Sequence, residues 1–249
     1  MTSTYIYGIA SADHPSLPDG MDAIGEPPRP VRIVKEGPLA AIVSEAPDDL
    51  RPKRRDLLAH QNVLAEAGGG GPVLPMRFGS LAPDDKAVAD VLAERADHYQ
   101  ERLTALEGKV EYNVKAQHDE QAVLHRVMSE NPEVRSITEA NRQAGGGTYE
   151  ERLRLGEMVV SAVQAREAED AVLLQRLLEP KAEAVSVGPE GTGWLANVSF
   201  LVERTAAEHF LATVEAARQK HTHLEVTVNG PLPPYSFVEP GPSAPVGSE

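Results

Sequence analysis

Three groups of residues in this chain have types and spacings that could do chemistry. The first is the run Gly68–Gly71, which has the composition of a phosphate-binding loop. Such a loop needs G-K-[ST] after its glycines, because the lysine reaches the phosphates and the hydroxyl holds a magnesium ion. Pro72 and Val73 follow instead, so the run reads as a flexible connector. The other two groups are His118-Asp119-Glu120 and the pair His221 and His223, which offer metal-ligating atoms. Adjacent residues at a strand end or helix start point in different directions. His221 and His223 share a strand face, but no third ligand is visible beside them. Ligand count decides such sites, so these histidines read as surface residues and no metal is expected. No G-x-S-x-G surrounds a serine. The chain has 38 acidic residues, and nothing singles out a pair of them for acid–base work. The expectation is no catalytic residue and no cofactor.

Two stretches have the character of contact surfaces instead. Arg51, Lys53, Arg54 and Arg55 form a basic knot in an acidic chain. Positive charge at a helix N-terminus opposes the helix dipole. The knot is either a solvated helix start or a docking patch for an acidic partner. The second stretch is Leu74-Pro75-Met76-Arg77-Phe78-Gly79. Proline inside an apolar run implies an edge strand or a bulge, and Arg77 would point away from Met76 and Phe78. It is either a core strand with a charged outer face or an edge open to a partner.

Composition narrows the classes further. The 249 residues carry a formal net charge of -14 and only 4% aromatics. Nucleic-acid affinity comes from cations on phosphates and from aromatic stacking, so no nucleic-acid partner is expected. Cysteine is absent, which removes disulfides, thiolate nucleophiles and thiolate zinc sites. The residues after Met1 lack a basic segment followed by an apolar one. No window approaches the ~18 apolar residues of a membrane span. A cytoplasmic protein with no membrane partner is expected.

The elements that must position these residues follow from periodicity. Thr4–Ala10 reads as a strand with Tyr5, Tyr7 and Ile9 on one side, and 11–30 as a loop. Val31–Lys35 and Leu39–Glu45 read as a hairpin, Arg54–Glu66 as a helix stopped by the glycines, and Val73–Phe78 as a strand. Asp84 and Asp85 open a helix whose apolar stripe is Val88, Val91, Leu92, Tyr99, Leu103 and Leu106. From Lys109 to Gln117 polar and apolar residues alternate strictly, the pattern of a strand with one buried face. Asp119 caps a short helix, Asn131-Pro132 and Gly145–Gly147 interrupt it, and Thr148–Glu179 is a long helical run. Ala182–Val187 and Trp194–Glu203 read as strands, Thr205 and Glu208 as a capping box before a helix, and His223–Asn229 as a last strand. Glu111, Asn113, Lys115, Asn197, Ser199, Glu225 and Thr227 would form a polar sheet face.

The predicted fold is therefore α+β with two domains. An N-terminal mixed α+β unit spans 1–106. A C-terminal ferredoxin-like β-α-β-β-α-β domain, helices on one sheet face, spans 107–229. A proline-rich closing segment, 230–238, packs on the domains, and a disordered tail, 239–249, follows.

Four stretches carry a family likeness: Tyr5-Ile6-Tyr7-Gly8-Ile9, Leu74–Gly79, Val110-Glu111-Tyr112-Asn113-Val114-Lys115, and the closing N-G-P-L-P-P-Y-S-F-V at Asn229–Val238. In this order they resemble the gas vesicle protein F/L family, over nearly the whole chain. Leu232 stands where that family often has tryptophan. The resemblance implies a non-enzymatic, two-domain accessory protein of gas vesicle assembly. Its implied partners are the very hydrophobic shell subunit, gas vesicle protein A, and other accessory proteins. It would keep the shell subunit from aggregating or deliver it to the growing vesicle. In the closing stretch the prolines would hold an extended, polyproline-like exit. Tyr235 and Phe237 would then lock the segment onto the first domain or offer an apolar ledge. The competing class is a small-molecule sensor or enzyme using the polar face of the ferredoxin-like sheet.

Overall fold

A computed structural model describes residues 3–239 except 16, 18–20, 22, 144 and 190–192. The tail expected to be disordered thus lies, beyond Glu239, outside the described residues. The chain divides into two compact units. One comprises residues up to Glu111 and the chain returning from Gly230; the other is Tyr112–Asn229.

In the first unit, β1 (Thr4–Ser11) lies at the centre of an antiparallel sheet between β3 (Leu39–Glu45) and β4 (Val73–Pro75), and β2 (Arg32–Glu36) forms the far edge beside β3. The short β5 (Leu81–Ala82) also pairs with β1. The expected β2–β3 hairpin forms, with Val34 opposite Ala41 and Glu36 opposite Leu39 across Gly37. The expected face of Tyr5, Tyr7 and Ile9 is broken. The β1–β3 register shifts between Ile6 and Gly8, and an extra residue in one strand changes which face the following side chains take. Tyr5 and Tyr7 therefore share a core cluster with Ala10, and Ile9 is buried elsewhere. Gly8 sits where a Cβ would stand 2.8 Å from Val73 and 2.9 Å from the Leu74 carbonyl, so only glycine lets β4 approach.

Helix α1 (Arg54–Gly70) packs on β1 and β4 through Val63, Leu64 and Ala67, which join the Tyr5–Tyr7 cluster. It continues through the first three glycines rather than stopping before them. Gly70 and Gly71 face the His14 ring, which lies 3.2 Å from where a Cβ of either would be. The glycines thus seat a histidine instead of acting as a connector. The single helix expected after Asp84 is two: α2 (Asp85–Glu94) and α3 (Ala96–Leu106), with Arg95 between them out of helical geometry. Asp84 does cap α2, accepting the Ala87 amide at 2.8 Å. Val91, assigned to the apolar stripe, is 45% exposed, whereas Val88 and Leu92 of the same helix are buried.

The second unit is built on β6 (Lys109–His118), β7 (Ala184–Val187), β8 (Ala196–Glu203) and β9 (Leu224–Leu232), in the order β7-β8-β6-β9. Between β6 and β7 stand α4 (Glu120–Glu130), α5 (Pro132–Gln143) and α6 (Tyr149–Leu178), which pack on one another. Between β8 and β9 stands α7 (Ala207–Lys220). Tyr112 stacks on Phe210, and Phe200 packs against the same ring, so the alternation of β6 and β8 delivers the core. The expected outward face is only partly wet. Ser199 and Leu201 of β8 are buried, and Asn113 donates 3.1 Å hydrogen bonds to both Asn197 and Ser199. Helix α5 was not legible in the sequence, since it lies between the two breakers and carries few large apolar residues, Val134 and Ile137; Asn131 caps it through the Glu133 and Val134 amides.

The expected capping box at Thr205 and Glu208 does not form. A short 3-10 turn, Arg204–Ala206, precedes α7, and the Thr205 hydroxyl turns back to Glu203. The capping box in this unit is Thr148 with Glu151 at the start of α6, each side chain satisfying the other's amide. Gly147 makes it reachable, with φ +68 and a position where a Cβ would stand 2.9 Å from Asn141.

Candidate functional site

Helix α1 starts from Lys53, an extended residue whose side chain makes no capping bond. Arg51, Lys53, Arg54 and Arg55 are all exposed around this start. Most of the cations are answered by acids of the same unit. Asp49 takes Arg51 at 2.7 Å and Lys53 at 3.5 Å, and Arg55 bridges Glu26 at 2.6 Å and Asp56 at 3.3 Å. Asp56 is buried and also accepts the Gly25 amide. Leu57 and Leu58 are exposed immediately after the knot, so the surface is of mixed apolar and paired-charge character rather than a bare basic patch.

The strand expected over Val73–Phe78 ends at Pro75, because the chain turns at Gly79, where φ is +91. Met76 leaves the strand with its amide on the Tyr7 carbonyl at 2.8 Å. Phe78 folds inward, edge-on to Tyr5 and His60, while Arg77 stays exposed. The structure thus separates these three residues: Phe78 is core-facing and only Arg77 stands free in solvent. His60 organises the buried end. Its Nε2 faces the Met76 carbonyl at 3.1 Å, an acceptor only, so Nε2 carries the proton. Its Nδ1 then accepts from the Tyr5 hydroxyl at 2.8 Å. The Tyr7 hydroxyl takes the Ile24 amide at 3.1 Å and lies 3.1 Å from the Ser44 hydroxyl. Burial raises the Tyr5 and Tyr7 hydroxyls above their ordinary pKa and holds the His60 imidazolium below its own. This is a satisfied, uncharged network under the sheet, suited to fixing the strand ends.

The closing segment returns to this same unit. Strand β9 continues through Gly230 and Pro231 to Leu232, and a 3-10 turn, Tyr235–Phe237, follows. The polyproline-like exit expected there is thus replaced by strand and turn; Pro234, with ψ 59, is already out of the extended region. Tyr235 packs against the Tyr5–Tyr7 cluster, and Phe237 is buried. Burial pushes the Tyr235 hydroxyl up to about 12, the nearby Glu111 carboxylate adding to it. Glu111, assigned to a polar outer face, is 3% exposed. Both its oxygens are used: the Ser236 amide donates at 2.8 Å and the Ser236 hydroxyl at 2.7 Å. Arg102 of α3 clamps the end of the turn, donating to the Phe237 carbonyl at 2.7 Å and the Val238 carbonyl at 3.0 Å.

The second unit holds a cluster that sequence reading left in pieces. His118 at the end of β6 and His223 before β9 both direct Nε2 at one oxygen of Asp170 in α6, at 3.0 and 2.9 Å. Arg166, one turn earlier, reaches the same oxygen at 3.0 Å. These histidines stand 52 and 53 residues from Asp170, and only its register with Leu174 on the buried side of α6 marked it. The ligating atoms of His118, Asp170 and His223 lie within 4.8 Å of one another, close enough for a metal ion. The donor set argues otherwise. Arg126 faces His223 Nδ1 at 3.2 Å, and a guanidinium can only donate. His223 therefore keeps its proton on Nε2, where a metal would have to bind. Charge is already balanced by Glu130, which pairs with both Arg126 and Arg166. Burial would raise the Asp170 carboxyl, but hydrogen bonds from His118, Arg166 and His223 outweigh it and hold the pKa low. Burial and the neighbouring guanidinium groups keep His223 below its ordinary value. The cluster ties α4, α6, β6 and the β9 entrance together as a structural hub.

Sequence and structure comparisons agree on what this architecture is similar to. The family described as gas vesicle synthesis protein GvpL/GvpF matches residues 3–239. Gas vesicle protein F of Streptomyces sp. (strain CB03234) is 65% identical over 237 residues, covering 95% of this chain and 100% of the relative. Gas vesicle protein L of the same strain is 28% identical, covering 94% of this chain and 91% of the relative. The crystal structure of gas vesicle protein GvpF from Anabaena sp. PCC7120 superposes with a TM-score of 0.76 at 24% identity, covering 97% of this chain and 100% of that one. That of GvpF from Microcystis aeruginosa gives 0.71 at 23% identity, covering 96% and 100%.

Proposed function

Because the chain belongs to the gas vesicle GvpL/GvpF family, we propose that it acts in gas vesicle formation as a non-enzymatic accessory protein that binds the hydrophobic shell subunit. In this role it keeps gas vesicle protein A from aggregating or hands it to the growing vesicle, together with other accessory proteins, in the cytoplasm. The match over residues 3–239 carries the reading. The net charge of -14 supports it, since charge keeps a carrier soluble while it holds an apolar client. Among the described residues no helix is long and apolar enough to cross a membrane.

The strand order β7-β8-β6-β9 with helical crossovers supports reading the second unit as ferredoxin-like. A sensor or enzyme on its polar face would need convergent, available polar groups. Asn113 there donates to both Asn197 and Ser199, and Gln117 to Glu225. Lys115 lies over the Trp194 ring. That mutual satisfaction favours the accessory reading over the small-molecule one.

For the shell subunit we propose the start of α1, with Arg51, Lys53, Arg54 and Arg55 flanking exposed Leu57 and Leu58, continued by the Met76–Phe78 stretch with Arg77 at its surface. Tyr235 and Phe237 serve instead to lock the closing segment. Co-expression of the tagged chain with the shell subunit tests this, reading the shell subunit recovered in soluble form. Specific recovery, reduced when the four cations are changed to Ser, is expected. Equal insolubility of the shell subunit with and without the folded chain would overturn direct binding.

A further inference from the structure

We propose that α6 is a self-association element, through which two copies of this chain pair in parallel along the helix's exposed apolar stripe. Tyr149, Leu153 and Val160 are 73%, 53% and 57% exposed, among the most exposed large apolar side chains described. With Gly156 and half-buried Val163 they follow one another at steps of four, three, four and three residues. That is the alternation of a coiled-coil seam, and it places them on one narrow face. A shallow apolar groove, lined by Arg152, Leu153, Gly156, Glu157 and Val160, runs along this face. Among the described residues nothing lies within 4 Å of where a Gly156 Cβ would be, so no contact there requires glycine. Glycine inside a helix costs about 1 kcal/mol relative to alanine. A glycine at a seam position is useful where a second helix must come close.

Charge chooses the occupant. In this register Arg152 precedes a seam residue on one flank, and Glu157 follows a seam residue on the other. They lie on opposite sides of the stripe and cannot pair within one helix. In a parallel pair, a residue on the first flank meets the residue five positions later on the partner's second flank. Arg152 then meets the partner's Glu157, twice by symmetry. An antiparallel pair would instead oppose the flank of Arg152 to itself, and likewise the flank of Glu150 and Glu157. The self-complementary arrangement is therefore the parallel one, closed by a two-fold axis. The seam ends where Glu167 takes the next core position, so the interface is two heptads long and the dimer concentration-dependent.

The chain's lack of cysteine makes the test clean. Sedimentation of the full chain over rising concentration should show a monomer–dimer equilibrium. Leu153→Asp and Val160→Asp should each abolish the dimer while leaving the circular dichroism unchanged. Arg152→Glu should weaken it, and Arg152→Glu with Glu157→Arg should restore it. Under mild oxidation Leu153→Cys should cross-link to itself. A chain that stays monomeric at its highest attainable concentration, without cross-linking, overturns the proposal. So does a dimer indifferent to both aspartates. Cross-linking of Leu153→Cys only when mixed with Val163→Cys would mean an antiparallel contact and overturn the geometry. Loss of shell-subunit recovery in the Leu153→Asp variant, with no dimer in the parent chain, would assign the stripe to that client instead.

Discussion

Glu111 shows how a residue of ordinary type acquires an unusual duty. Its strand position marks it as outward and wet, yet it is buried and holds Ser236 through two hydrogen bonds. Replacing it with alanine removes both hydrogen bonds to Ser236, each contributing about 0.5–1.5 kcal/mol. A lowered unfolding midpoint in denaturant is expected for Glu111→Ala; an unchanged midpoint would show the contact to be dispensable. Tyr5→Phe is the matching case in the aromatic cluster. It removes the proton that His60 Nδ1 accepts, for a loss of the same order, about 1–3 kcal/mol. Neither role is written in the residue's neighbours along the chain. The partners are 125 and 55 residues distant.

At the scale of the element, local rules held where their atoms are local. Asp84 and Asp119 cap α2 and α4 because an N-cap needs only an oxygen and an amide three residues on. The same rule misfired at Thr205, where a 3-10 turn intervenes, and was fulfilled at Thr148. Thr148→Ala should therefore lower stability by about 1 kcal/mol, whereas Thr205→Ala should leave the unfolding midpoint nearly unchanged. Equal effects of the two would sink this assignment. The α2–α3 break and helix α5 were hidden for a related reason. An apolar stripe spaced three and four residues apart reads through a one-residue interruption, whereas the stripe of α5, little more than Val134 and Ile137, is too short to read between two breakers.

At the scale of the whole molecule, the return of the chain from Gly230 to the first unit is the organising event. Truncation after Asn229 removes Tyr235, Phe237 and the Arg102 clamp together. It should lower the melting temperature, and a truncated chain melting unchanged would refute the locking role. The two units also share a dependence on pH. His60, His221 and His223 have folded-state values below the ordinary one, with burial the leading cause. Below about pH 6.5 the unfolded chain takes up protons that the folded chain refuses. Stability should thus be full above that pH and fall as pH drops through it. Asp170, held low by its donors, adds a further loss at more acidic pH as it protonates. A melting temperature flat from pH 8 to 5 would contradict this coupling.

The sequence by itself determined the α+β class, most strands and helices, and the family. Each rests on side-chain periodicity, on short-range capping or on a run of adjacent residues such as the closing N-G-P-L-P-P-Y-S-F-V. Only the tertiary structure decided that Phe78 faces inward, that Glu111 is buried, and that most of the basic knot is answered by Asp49, Glu26 and Asp56. It alone brought His118 and His223 onto one oxygen of Asp170. The physical reason is range. Periodicity reports which face of an element avoids water, but not which distant group will meet it there. A hydrogen bond between residues 50 to 125 positions apart exists only once the sheet and its helices have closed.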